Sequence, residues 1–269
     1  MLPEPPPAAA ALFGSALPTA VRYAALLAGP GVERGLIGPA EAARIWDRHL
    51  LNCAVVAELV PGRCLLADLG SGAGLPGIVL ALLRPECDVL LVEATARRAA
   101  FLTECVAELG LPRVQVLRGR AEDLVREVSA DVVTARAVAP LGKLAGWAVG
   151  LCRPGGTVLA IKGAGAAEEI VQAGPELSQL GVTDLEVLQV GSNEVDPPAT
   201  VVRFRAPVRR PPAAGRSSGA RARSASRLAG NRRDRRRASQ RGGQRPPGPA
   251  TPMPTCEPGD AVGGPAGPA

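Results

Sequence analysis

From residue 61 onward, short apolar runs alternate with longer stretches in which apolar residues return every three or four positions. The runs at 64–69, 88–92, 114–117, 131–135 and 156–161 read as strands, and the intervals 75–83, 95–109 and 141–152 as helices. Strand and helix in strict alternation predict a parallel, doubly wound sheet. After Lys162 the rhythm changes. Helical stretches at 166–173 and 175–180 lead to two more strands, 183–190 and 200–205, joined by a hairpin-type loop through Pro197-Pro198. Joined in that way, the two read as an antiparallel pair. Ahead of residue 61, Leu17, Val21, Ala24, Ala25 and Leu27 mark a helix over 16–28. A Gly-Pro-Gly break at 29–31 follows, and then a second helical region over 39–58. Residues 1–10 are rich in Pro and Ala and are expected to be disordered, which leaves 11–60 as an N-terminal helical extension and 61–206 as the main domain.

Composition changes this picture in two places. Only six of the 269 residues are aromatic, so Leu, Val, Ile and Ala must build the core. The charge is uneven. Residues 207–269 carry 13 Arg against Asp234, Glu257 and Asp260, a net of +10, whereas the whole chain is +6, which leaves residues 1–206 at −4. The protein is thus a mildly acidic domain with a basic tail. That tail holds almost no large apolar residue and is expected to be disordered, either as an arm that meets RNA phosphates or as compositional drift. No apolar run reaches about 18 residues and the N-terminus lacks a basic leader region, so no membrane span is expected. Cys53, Cys64, Cys87, Cys105, Cys152 and Cys256 are scattered with no C-x-x-C pair, which argues against a disulfide framework or metal site and for a cytoplasmic protein.

The chemistry centres on Ala67-Asp-Leu-Gly-Ser-Gly-Ala-Gly-Leu-Pro-Gly77, which joins the first strand to the helix after it. Glycines let this turn be tight and let a ligand lie against bare backbone. Pro76 suits the first turn of the following helix, whose free N–H groups favour polar or anionic ligand atoms. Gly72, Gly74 and Gly77 spell the dinucleotide fingerprint G-x-G-x-x-G, with Glu93 at about the expected distance beyond it. Read from Asp68, the same residues spell D-x-G-x-G-x-G at the strand end, which resembles motif I of the class I S-adenosylmethionine-dependent methyltransferases. Glu93 serves as ribose acceptor in either reading.

Further segments sharpen the resemblance. They are Asp47-Arg48-His49 with Asn52, the extension Gly74-Leu-Pro-Gly-Ile78, Arg97-Arg98 with Phe101-Leu102, Arg120-Ala-Glu122, Thr134-Ala-Arg136-Ala137 and Ile161-Lys-Gly163. With these the chain resembles the bacterial 16S ribosomal RNA guanine-N7 methyltransferase family, once called glucose-inhibited division protein B, over about residues 15–205. The resemblance implies an α/β fold of the class I methyltransferase (Rossmann-like) type, with a terminal antiparallel strand pair. It implies S-adenosylmethionine as cofactor, held at Gly70, Leu75, Glu93, Ala121, Glu122 and Arg136. It also implies transfer to N7 of a guanine in the decoding-region loop of 16S rRNA, with naked RNA or the small ribosomal subunit as partner, by a monomer. The chain departs from the family in having Glu93 where Asp is usual, Arg97 where Lys is usual, and the long tail.

The residues fit this chemistry on their own terms. Asp68 either orients the glycine turn, contacts the cofactor's amino group indirectly, or is simply a helix-start carboxylate. Arg136 lies at the carboxyl end of the fourth strand, where ligands bind in open α/β sheets, and is the candidate catalytic residue, although it is free to pair with Glu93 or Glu122 instead. Lys162 and His49 are candidate substrate contacts, with a surface Lys and a structural His as the plainer readings. No Asn-Pro-Pro-Tyr follows the fourth strand and no Cys follows the fourth or fifth in a pattern for attack on a pyrimidine. Guanine N7 carries a lone pair and no proton, so its methylation needs alignment more than a base. Two other classes stay open at this point: a nicotinamide-dependent oxidoreductase, which NAD should protect from heat, and a non-catalytic RNA-binding protein, which should transfer no methyl group.

Overall fold

The computed structural model describes residues 3–208. Seven strands form one sheet: β1 Leu65–Leu69, β2 Asp88–Glu93, β3 Val114–Arg118, β4 Ala130–Arg136, β5 Cys152–Lys162, β6 Thr183–Val190 and β7 Ala199–Arg205. Their order is β3-β2-β1-β4-β5-β7-β6. The first five run parallel, and β7 enters antiparallel between β5 and β6. Each boundary lies within a few residues of the periodicity reading. The largest difference is β5, which begins at Cys152, directly after helix Leu141–Leu151.

The central strands are apolar on both faces because both are covered, whereas the edge strands β3 and β6 are partly exposed. Leu66, Val89, Leu91, Val132 and Leu159 face a core shared with helices Gly77–Leu83 and Ala96–Leu109 and with the N-terminal extension. Their neighbours Ala67, Leu69, Val92, Val133 and Val158 face a second core under helices Leu141–Leu151 and Gly174–Leu180. Helix Ala96–Leu109 shows how the sequence sets this arrangement. Ala99, Phe101, Leu102, Cys105 and Leu109 make its buried stripe, and Gly110 ends it in a left-handed conformation with φ 66°.

Three expectations are corrected in the N-terminal region. Residues 3–10 are ordered: Pro7–Phe13 is a helix, Ala9 is fully buried, and the Trp46 indole N–H donates to the Pro3 carbonyl at 3.0 Å. A Pro at the first helical position followed by alanines is a good helix start, which composition alone conceals. The Gly-Pro-Gly segment is no break either. Helix Leu17–Leu26 runs on through a wide π turn, Leu27–Gly31, in which the missing N–H of Pro30 is tolerated. Finally, the buried face of that helix is Ala20, Tyr23, Ala24 and Leu27, while Ala25 is exposed.

The whole stretch Pro7–Gly31 has the length and mean hydropathy (1.3) of a membrane-crossing helix, although no uninterrupted apolar run marks it. Its axis is broken at Gly14, and the aromatic rings of Phe13 and Tyr23 are buried against the rest of the fold. Beyond Val208 the tail expected to be disordered lies outside the described residues.

Candidate active site

At the carboxyl ends of β1, β2 and β4 the glycine turn is held by two buried carboxylates. Asp68 accepts a hydrogen bond from the Gly77 N–H at 3.0 Å and one from the Thr134 hydroxyl at 3.3 Å. Burial pushes its carboxyl up to about 6, against the pull of those bonds. Helix Gly77–Leu83 therefore starts two residues later than expected, with Pro76 at its cap. A Cβ on Gly77 would lie 2.6 Å from Asp68 Oδ2, so this glycine serves the carboxylate rather than a ligand. Glu93 is also buried, and its two oxygens accept from the N–H groups of Gly72 (3.0 Å) and Thr95 (2.7 Å). Tyr23 closes the far side of the turn, its hydroxyl donating to the Ala73 carbonyl at 2.8 Å.

Gly72 differs from the other turn glycines. It has φ +60°, and a Cβ there would meet nothing nearer than the Gly70 carbonyl at 3.8 Å. By contrast, a Cβ on Gly70 would strike Val138 at 2.9 Å. The open space over Gly72 has bare backbone on one side and the Glu93 carboxylate beside it. Each Glu93 oxygen keeps a second lone pair, so the carboxylate can still accept a hydrogen bond from a hydroxyl group. This cradle fits S-adenosylmethionine.

A second part of the site lies across the ends of β4 and β5. A cavity of about 940 Å³ is lined by Arg44, Asp47, His49, Arg136, Lys162 and Gln172, among others. Arg136 pairs with neither Glu93 nor Glu122. Its guanidinium donates to Nδ1 of His49 at 2.7 Å and to the Arg48 carbonyl at 3.3 Å. A guanidinium can only donate, so Nδ1 holds a lone pair and the ring proton sits on Nε2, 2.9 Å from Glu41. Burial first, and the Arg136 charge second, hold the imidazole below its usual range, with Glu41 opposing them. Lys162 is not a free surface amine: it donates to Glu169 at 2.6 Å and to the Ala139 carbonyl at 3.0 Å. The same Glu169 oxygen accepts from the Leu141 N–H at the start of helix Leu141–Leu151.

The structure thus sorts the candidates into two groups. Gly70, Leu75 and Glu93 gather at the glycine turn, and Gly119, tied to the Glu93 carbonyl at 3.1 Å, leads into the buried Ala121 at the start of helix Ala121–Leu124. Arg136, His49 and Lys162 line the cavity. The Glu122 side chain belongs to neither, because its exposed carboxylate accepts from the Trp147 indole at 2.6 Å. Residue patterns alone missed Glu41, Glu169 and Tyr23, and they gave Thr134 no role of its own. Tyr23 had one available signal, as the only tyrosine in an apolar helix. The cysteines among the described residues are free and buried, and burial pushes Cys53 up to about 11 and Cys152 up to about 12, which keeps both as thiols.

The family model described as GidB, rRNA small subunit methyltransferase G, matches residues 16–196. The chain belongs to that family. Among curated relatives, the ribosomal RNA small subunit methyltransferase G of Thermobifida fusca is 56% identical over 199 residues, covering 74% of this chain and 84% of that one. The protein of the same name from Mycolicibacterium gilvum is 56% identical over 216 residues, covering 78% and 95%. That from Salinispora tropica is 53% identical over 233 residues, covering 82% and 96%. With the sheet order and the glycine turn, membership in the rRNA small subunit methyltransferase G family makes this an S-adenosylmethionine-dependent methyltransferase of 16S rRNA and closes the nicotinamide and non-catalytic readings.

Proposed function

We propose that the chain methylates N7 of a guanine in the decoding-region loop of 16S rRNA. The observation that carries this reading is the state of the groups lining the cavity. The lone pair of the one imidazole is given to Arg136, and the Lys162 amine is ion-paired with Glu169, so neither takes a proton from a substrate. The Asp47 and Asp196 carboxylates also line the cavity, but guanine N7 loses no proton and so needs none of these groups as a base. When bound, S-adenosylmethionine supplies an electrophilic methyl group, which the N7 lone pair accepts. Gly70, Leu75, Glu93, Ala121 and the backbone of Glu122 hold the cofactor, while Arg136 shapes the transfer site between that cradle and the cavity. Lys162 and His49 act at the substrate side through Glu169 and Arg136, not as bare charges. Residues 61–206 carry the chemistry, and the extension within 11–60 supplies the wall of the cavity opposite β4. The working compartment is the cytoplasm, and the acting species a monomer.

Incubation with labelled S-adenosylmethionine and undermethylated 16S RNA or small subunits should place the label on one guanine, at N7. Label on an exocyclic amine or a ribose would overturn the choice of atom. The basic tail is proposed as an arm that pairs with RNA phosphates. Ala206 exchanges hydrogen bonds with Gly155 and Gly156, so a truncation that removes the tail should end at Val208. The shortened chain should keep its cofactor affinity and bind RNA with a shallower salt dependence, by about 0.7–0.9 in log–log slope for each phosphate the tail would have neutralised. An unchanged slope would mean the tail is no arm.

A further inference from the structure

We infer that Glu41 and His49 form a positioning relay for Arg136, in which His49 works as a hydrogen-bond acceptor and never as a base. The inference rests on the methyl-transfer reading for its kinetic test, and its spectroscopic test stands alone. The geometry is a single line of atoms: Glu41 Oε2, then His49 Nε2 at 2.9 Å, then His49 Nδ1, then Arg136 Nη2 at 2.7 Å. The second guanidinium arm reaches the Arg48 carbonyl at 3.3 Å. A segment 87 residues earlier in the chain therefore fixes the side chain at the end of β4.

The choice of acceptors has a chemical consequence. Among the described residues no carboxylate lies within ion-pairing distance of Arg136; its partners are a neutral ring and a carbonyl. Both orient the guanidinium without cancelling its charge, so that charge stays available for an electron-rich neighbour such as a guanine carbonyl oxygen or a phosphate. A direct carboxylate partner would have oriented it equally well and neutralised it. Glu41 stands one residue removed, where it also binds Arg48 Nε at 3.2 Å and fixes the imidazole tautomer.

The relay should fail when the ring gains a proton, because two N–H groups then face each other across 2.7 Å. The charged groups facing His49 are Arg136 from β4, Glu41 from the helical turn Pro39–Ala42, and Arg48 from its own turn. The two arginines oppose protonation and Glu41 favours it. Asp68 is a separate group titrating in the same region, and substitutions at His49 leave it in place.

His49 is the only histidine in the chain, so its two ring nitrogens can be followed by NMR in the intact protein. The expected state at pH 7.5 is neutral, with the proton on Nε2, and Arg136→Ala should raise the imidazole pKa and mix the tautomers. A proton on Nδ1 in the wild type overturns the relay. In single-turnover methylation between about pH 5 and 8.5, the wild type should be flat above the ordinary imidazole value of about 6.5 and lose rate below it. His49→Ala should be slower by roughly tenfold to a hundredfold, with cofactor affinity retained. His49→Asn places an amide oxygen where Nδ1 lies, and it should recover most of that loss with a smaller acid limb. A His49→Asn enzyme that binds cofactor yet is as slow as His49→Ala, or that keeps the full acid limb, overturns the inference. A wild type that methylates no RNA overturns the functional reading instead, and the tautomer measurement still decides the relay.

Discussion

Arg136→Ala is expected to lower single-turnover methylation by about a hundredfold or more, the usual cost of removing one preorganised donor from a transfer site. The side chain is half-buried, and its bonds run to one imidazole and one carbonyl. Its loss should therefore cost about 1–2 kcal/mol of stability, which leaves the fold intact. The His49 lone pair is then free to meet water. Cofactor affinity separates two versions of the result. If S-adenosylmethionine still raises the melting temperature of the variant, Arg136 acts on the substrate side. If that protection disappears as well, the guanidinium also touches the cofactor. Full activity in Arg136→Ala would remove this residue from the site altogether.

Gly72→Val should abolish cofactor binding. At a cofactor concentration one hundred times the dissociation constant, the wild type gains about 2.7 kcal/mol by mass action, or roughly 5–10 °C in melting temperature. The variant should gain none, because its side chain would fill the open space beside Glu93. Gly72 also sits at φ +60°, where a branched residue costs about 1–2 kcal/mol of backbone strain. The unliganded variant should thus melt earlier, and the measured quantity must be the shift on adding cofactor. Equal shifts in the two proteins would move the cofactor off this turn.

The strands and most of the helices were legible in the sequence because both rest on local periodicity. A sheet covered on both faces needs strands as uniformly apolar as Val89–Val92, and nothing distant has to be known to see them. The glycine turn was legible as a turn, but the reasons for its glycines were not. Gly77 answers to Asp68, nine residues before it, and Gly70 to Val138, while only Gly72 faces open space. The N-terminal extension was the least legible part. Its helices were expected, yet its role was not, because the pairing of His49 with Arg136 depends on a fold in which the chain returns to its own beginning. Lys162 and Glu169 show the same limit at shorter range. They are seven residues apart across a strand end, a loop and a helix start, and no periodicity joins them.

The position of β7 bears on how the chain is made. Among the described residues the last strand lies inside the sheet, between β5 and β6, and β6 pairs with no other strand. Translation at about 5–20 residues per second takes roughly two to nine seconds to run from Lys162 to Arg205. For that interval β5 is an open edge, its backbone N–H and C=O groups able to pair with any other nascent chain. Interruption of synthesis before Arg205 would therefore leave a sticky fragment, not a smaller enzyme. Cells making this protein should show selection against ribosome pausing in that window, and message truncated there should yield aggregate.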